Sequence, residues 1–239
     1  MKKITFIKAG GSGNIIEEDT IPVDHPWLFY RKLNIDDNYF RTLIDSVGKS
    51  SKKYKIGLAV GGVGSFLFIK FAKQMGQEDS KAHRVGIKII NITSSILLNS
   101  FRQNQIKVFP RLVDVGDDLE KLFDSYNLVL FKASVKHWST DSIVAKAASR
   151  FKRSKLIYFK TNIKDRVENV SGLTVGSLKF SSFTKRRPQP GFDPLIDWKA
   201  LCLIEKFGIK TTICEKDLIG NLDNIIENDS IESELTIRL

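Results

Sequence analysis

Cysteine is nearly absent: Cys202 and Cys214 are the two thiols among 239 residues. They fall in stretches that read as a helix and a strand, where cysteine acts as a small apolar residue. Such sparse use fits a reducing cytoplasm rather than a disulfide-built fold. Histidine is also scarce. His25, His83 and His137 are far apart and lack metal-ligand spacing, so each reads as a surface or packing residue. No hydrophobic run is long enough to cross a bilayer. The most apolar window, Ile56 to Phe71, contains four glycines and reads as strand, turn and helix. The first residues carry two lysines but no long apolar stretch and no cleavage site, so a signal peptide is not expected. Internal repeats and low-complexity segments are missing. So are the glycine spacings of a Walker A loop or a dinucleotide fingerprint, and any recognisable RNA- or DNA-binding module.

What is present is a basic, globular composition. Hydrophobic residues make up 42% and charged residues 27%, and the net charge is +11. A basic balance suits an anionic partner. Because the lysines are scattered from Lys2 to Lys216 rather than clustered, a phosphate-bearing small molecule is the expected ligand, with no nucleic acid and no membrane as partners.

The chain is organised around Lys3 to Asn14. Ile4 to Ile7 is short, apolar, and rich in β-branched and aromatic residues, which reads as a buried strand. Lys8 follows at its carboxyl end, where ligands of open α/β sheets bind, and Gly10, Gly11 and Ser12 form a turn without side-chain bulk. Two readings stand side by side. One is a phosphate cradle of backbone amides with Lys8 as counter-charge; the other is a tight turn beside a solvated lysine. A second corner of the same kind follows the strand Tyr54 to Val60, at Gly61-Gly62-Val63-Gly64. It serves either a ligand or the close packing of a helix on the sheet.

The rest alternates. Helices are expected at Ile35–Val47 (ended by the polar run Gly48–Lys53), Phe66–Met75, Ser80–Phe101, Asp117–Phe123, Ser142–Phe151, Asp197–Phe207 and Asp217–Ile226. The long Ser80–Phe101 helix is expected to present Val85, Ile89, Ile92, Ile96 and Leu97 near one face. Strands are expected at Ile106–Leu112, Asn127–Phe131, Lys155–Thr161 and Gly208–Ile213, with a last edge strand at Leu235–Leu239. Ser139-Thr140-Asp141 sits where a helix N-cap belongs; the functional alternative is that Thr140 and Asp141 touch a ligand at that helix end. Asn162 to Pro190 reads as a mobile flap with a basic tip. Strands alternating with helices predict a parallel, helix-covered sheet of the α/β class.

The motifs resemble those of the amino acid kinase superfamily, and most of all the archaeal-type uridylate kinases. Lys8-Ala9-Gly10-Gly11-Ser12 looks like the family's opening Lys-x-Gly-Gly-Ser, and Gly61-Gly62-Val63 stands where it has three glycines. Ser139-Thr140-Asp141-Ser142 with Ala145 resembles Ser-Thr-Asp-x-x-Ala. Asp197-Trp198-Lys199-Ala200 followed by Gly208-Ile209-Lys210-Thr211 resembles the C-terminal Asp-x-x-Ala…Gly-Ile-Lys-Thr segment. The resemblance implies a three-layer α/β/α sandwich with a mainly parallel central sheet, spanning residues 1–239 as one domain. Its acceptor-binding half would cover about 1–135 and its nucleotide-binding half about 136–239. It further implies ATP and Mg2+ as cofactors and a hexamer. Lys8, Asp141 and Asp197 would be catalytic. Gly10, Gly11, Ser12, Gly61, Gly62 and Thr140 would bind phosphate or acceptor, and Thr161, Asn162 and Asp165 would bind nucleotide.

The sequence also departs from the family. Phe66, Leu67 and Phe68 occupy the zone where an arginine grips the acceptor phosphate, leaving Lys70, Lys73 or Arg84 as replacement cations. The ribose-binding aspartate falls near His83, and the nucleotide loop reads Thr161-Asn162-Ile163-Lys164-Asp165-Arg166-Val167. Three functions therefore remain in view: a divergent nucleoside-monophosphate or small-phosphate kinase; an ATP- and oxoanion-binding storage protein resembling the molybdenum storage proteins; and a regulatory paralogue that assembles with an active kinase as a hetero-oligomer.

Overall fold

The computed structural model describes residues 2–10, 15–16, 34–62, 64–134, 139–161, 163, 196–227 and 236–238. A six-stranded sheet runs in the order β5-β4-β1-β6-β7-β8. These strands are β1 (Ile4–Ala9), β4 (Lys55–Val60), β5 (Leu128–Leu130), β6 (Lys155–Lys160), β7 (Lys210–Glu215) and β8 (Thr236–Arg238). The first five in that order are parallel, and β8 closes the β7 edge antiparallel, as the sequence led us to expect of an edge strand at the end. A short antiparallel pair, β2 (Ile15–Ile16) with β3 (Asn34–Ile35), lies apart from this sheet.

Strand periodicity sorts the core into two layers. Ile4, Phe6, Ala59, Val129, Leu156 and Tyr158 pack with α4 (Leu119–Ser125), α5 (Thr140–Ala148) and α6 (Trp198–Phe207). The alternate residues, such as Ile7, Ala9, Leu58 and Ile157, pack on the other side. There they meet α1 (Asp37–Ser51), the C-terminal part of α3 (Asp79–Gln103) and α7 (Leu222–Glu227). The result is the expected α/β/α sandwich. Among the described residues no helix is long and apolar enough to cross a membrane.

On the first of these faces Gly57 is wedged against rings. A Cβ there would stand 2.6 Å from Phe6 Cδ1 and 2.9 Å from Phe131 Cε2. Gly57→Ala is expected to destabilise the protein by about 1–3 kcal/mol through overpacking. A urea midpoint at lower concentration with an unchanged slope checks this.

Three expectations need correction. The first helix does not end at Gly48. It runs to Ser51, with Gly48, Ser50 and Ser51 buried, because small residues let this end pack closely. Ile106–Leu112 is not a strand. Pro110 has no amide to give to a ladder, and only isolated bridges, Val108 to Leu128 and Val113 to Phe131, tie this stretch to the sheet. The face of α3 is also different. It buries Ala82, Gly86, Thr93, Ser94, Leu97, Leu98 and Phe101, whereas Ile92 and Ile96 are exposed. Small residues let α2 (Ser65–Gln74) and the sheet approach α3, and that decides the buried side over the isoleucine stripe. Cys214 is buried in β7 as expected, but Cys202 on α6 is exposed.

Candidate functional site

The two glycine corners meet. β1 and β4 are adjacent and in parallel register from Ile4–Lys55 to Ala9–Val60, so both chains leave the sheet at the same edge. The Gly61 amide donates to the Ala9 carbonyl at 2.9 Å. Gly10 turns with φ of 72°, a left-handed conformation that suits glycine, and its amide donates to the Tyr39 hydroxyl at 3.0 Å. Gly62 answers to packing: a Cβ there would lie 2.7 Å from Ile90 Cγ1 and 3.0 Å from Ile90 Cα. At Gly62, then, close helix-to-sheet contact accounts for the missing side chain. Gly11 and Ser12 lie outside the described residues.

Lys8 is the penultimate residue of β1 and has the parity of Phe6, so its side chain points to the α5 layer. Lys160, the last residue of the neighbouring β6, has the parity of Tyr158 and points the same way. Between them stands Asp141, in the first turn of α5, a helix capped by Ser139, whose Oγ accepts from the Ser142 amide at 3.1 Å. Lys160 Nζ donates to Asp141 Oδ2 at 2.7 Å, and Lys8 Nζ lies 3.9 Å from Asp141 Oδ1 while also donating to the Gly10 carbonyl. Tyr158 Oη donates to the Asp141 carbonyl at 3.0 Å, which fixes this turn of α5 to the sheet.

Asp197 joins from the other side. It caps α6, its Oδ1 accepting from the Lys199 amide at 2.6 Å and the Ala200 amide at 3.2 Å. The same oxygen accepts from the Ser142 hydroxyl at 3.0 Å, and the Asp197 amide donates to Asp141 Oδ2 at 3.3 Å. The N-terminal ends of α5 and α6 are thus tied together at the carboxyl edge of the sheet.

Burial pushes the Asp141 carboxyl up, but the charges of Lys160 and Lys8 outweigh it, helped by the hydrogen bonds from Lys160 and the Asp197 amide. The net effect holds this carboxyl below the usual carboxylate range, so Asp141 is an anion at neutral pH. Burial raises Tyr158 well above the ordinary phenol value, and Asp141 and Asp197 add to that shift, so it stays a donor.

The structure therefore brings Lys8, Asp141, Asp197 and Gly10 together and places Gly61 and Gly62 on the adjoining strand end. Thr140 is half-buried on the first turn of α5 beside Asp141, and Thr161 follows Lys160 directly. Asn162 and Asp165 lie outside the described residues. Of the replacement cations, Lys73 is paired with Asp79 at 2.8 Å, and Lys70 and Arg84 are exposed. Phe66 is exposed on the first turn of α2, next to the second corner. Sequence reasoning missed Lys160. The available signal was the one used for Lys8: a lysine closing a buried strand of a parallel sheet.

The chain aligns over 96–100% of its length with solved uridylate kinases. That of Archaeoglobus fulgidus superposes with a TM-score of 0.66 at 18% identity, covering 96% of this chain and 97% of the other. That of Ureaplasma parvum gives 0.68 at 16% identity, covering 100% and 99%. The chain has the uridylate kinase fold. A third enzyme of this fold, from Bacillus anthracis, gives 0.68 at 13% identity, covering 99% and 96%. In sequence, a uridylate kinase of Staphylothermus marinus is 23% identical over 189 residues, covering 75% of this chain and 83% of that protein. No protein-family model matches the chain. The resemblance read from the motifs thus holds for the uridylate kinase fold.

Mg2+ is implied by that resemblance, and the residues can be tested for it. A divalent ion needs oxygen ligands with open lone pairs. Here Asp141 Oδ2 holds an ammonium and an amide, Oδ1 faces Lys8, and Asp197 Oδ1 takes three donors. Among the described residues no group of three potential metal ligands occurs. Among the described residues, the donor set around Asp141 and Asp197 Oδ1 does not fit a metal held by side chains alone.

Proposed function

We propose that this protein is an ATP-dependent phosphotransferase, moving the γ-phosphoryl to a nucleoside monophosphate or another small phosphate acceptor. The observation that supports it is Lys8 held by Asp141 at the shared carboxyl edge of β1 and β4, in a chain with the uridylate kinase fold. Phosphoryl transfer calls for positioning and charge neutralisation more than for a covalent nucleophile. In this reading the bond from the γ-phosphorus to the β,γ-bridging oxygen breaks. A bond from an acceptor phosphate oxygen to the same phosphorus forms, and the bridging oxygen leaves with ADP. Lys8 neutralises the charge gathering on the oxygens in transit. Asp141 orients Lys8, and Asp197 fixes Asp141 through its amide and through Ser142.

The test is incubation with labelled ATP, Mg2+ and a panel of phosphate acceptors, UMP first. Label appearing on an acceptor is the expected result. ATP binding without transfer to any acceptor favours a storage or regulatory protein, and absence of ATP binding contradicts the reading.

A further inference from the structure

We propose that Tyr39, in the first turn of α1, is a positioning residue for Lys8: its hydroxyl fixes Gly10, and the Gly10 carbonyl aims the Lys8 ammonium at the phosphoryl group in transit. This rests on the phosphotransferase reading of the site, but one arm of its test needs no nucleotide and no turnover.

The strand β1 ends at Ala9, whose carbonyl takes the Gly61 amide at 2.9 Å. The next amide, that of Gly10, is buried and needs a partner beyond the ladder. Tyr39 supplies it: the buried phenol oxygen accepts from the Gly10 amide at 3.0 Å. Among the described residues this amide is the hydroxyl's hydrogen-bond partner. Packing alone asks for the ring, which phenylalanine would fill as well; only the hydroxyl reaches Gly10. With its amide held there and φ at 72°, Gly10 turns its carbonyl to accept from Lys8 Nζ. Tyr39 belongs to the α1 layer and Lys8 points to the α5 layer, so Gly10 links the two faces across the end of the sheet. Asp141 Oδ1, at 3.9 Å from Lys8 Nζ, is too far for a hydrogen bond. Asp141 therefore gives Lys8 a counter-charge, and the Gly10 carbonyl gives it direction. The Gly10 amide, engaged by Tyr39, positions the lysine instead of donating to phosphate. Tyr39 is itself anchored. Its amide donates to Asp36 Oδ1 at 3.0 Å, and Lys216 donates to Asp36 Oδ2 at 2.9 Å while standing 5.9 Å from the centre of the Tyr39 ring. Lys216 directly follows β7, so the C-terminal half of the chain helps seat a tyrosine of the N-terminal half. Burial raises the phenol above its ordinary value, so Tyr39 keeps its proton and accepts through an oxygen lone pair.

The experiment compares wild type with Tyr39→Phe, which keeps the ring and removes the hydroxyl. In nucleotide-free protein, NMR follows solvent exchange of the Gly10 amide and the side-chain ammonium resonances of Lys8 and Lys160. Tyr39→Phe is expected to speed Gly10 exchange about tenfold and to shift the Lys8 resonance while leaving that of Lys160 in place. In steady-state kinetics kcat is expected to fall about tenfold with KM for ATP and acceptor unchanged. In a Lys8→Ala background the same change is expected to have no further effect on the rate, because Tyr39 acts through Lys8. An unmoved Lys8 resonance, an unchanged kcat, or an equal loss of rate with and without Lys8 each overturns the proposal. Should Tyr39→Phe fail to fold, Lys216→Met, which loosens the anchor of Tyr39, takes its place: a shifted Lys8 resonance supports the proposal and an unmoved one overturns it. A wild-type protein that transfers no phosphate contradicts the phosphotransferase reading by itself, and the resonances then decide alone whether Tyr39 positions Lys8.

Discussion

Lys8→Ala is expected to lower phosphoryl transfer about 1,000-fold while leaving a cooperatively folded protein. The magnitude follows from removing a preorganised charge aimed at oxygens that become more negative in the transition state. The fold should survive because Asp141 keeps a partner: Lys160 holds Oδ2 at 2.7 Å whether or not Lys8 is present. The change should appear mainly in kcat, since the lysine acts on charge that develops during transfer. Steady-state kinetics on the acceptor found in the panel, alongside urea unfolding of both proteins, check this. An unchanged rate removes Lys8 from the mechanism.

Asp141→Asn is expected to have the largest effect on stability. It leaves two buried ammonium groups facing a neutral amide, and breaking a buried pair in this way costs about 3–5 kcal/mol. The pH dependence has a definite sign. The Asp141 carboxyl is held below its usual range in the folded state, so its contribution is complete above the unfolded-state value, about pH 4, and is lost as pH falls through the lower folded-state value. The stability gap between wild type and Asp141→Asn should therefore be constant at neutral pH and close in strong acid. Urea titrations from neutral to acidic pH measure it. A gap that widens on acidification contradicts the assigned charge state.

Much of this arrangement was legible in the sequence, and the reasons differ by element. Alternation of apolar strands and amphipathic helices pointed to the parallel, helix-covered sheet, and the resemblance of the motifs to the three layers. Ser139-Thr140-Asp141 was readable because a cap and a functional carboxylate need the same local grammar; the structure uses Ser139 for the cap and turns Asp141 inward. Lys160 was hidden because a lysine ending a strand looks like any solvated charge until its neighbour across the sheet is known. The register of β1 on β6 supplies that neighbour, placing Lys8 opposite Tyr158, two residues before Lys160. The face of α3 was misread for the opposite reason. Isoleucines at helical spacing suggest burial, yet Gly86 lets Ile69 approach to where a Cβ would be 2.5 Å away, and such close contact outweighs the larger side chains. Gly62 shows the limit of motif reading: the contact with Ile90 is enough to require glycine, whatever ligand lies nearby.

The most direct test is a crystal structure with a non-hydrolysable ATP analogue. The account predicts the triphosphate at the carboxyl ends of β1 and β4, with a terminal phosphate oxygen within hydrogen-bond distance of Lys8 Nζ and Asp141 still bound to Lys160. A triphosphate bound away from that edge, or one that leaves Lys8 turned from the phosphates, contradicts it.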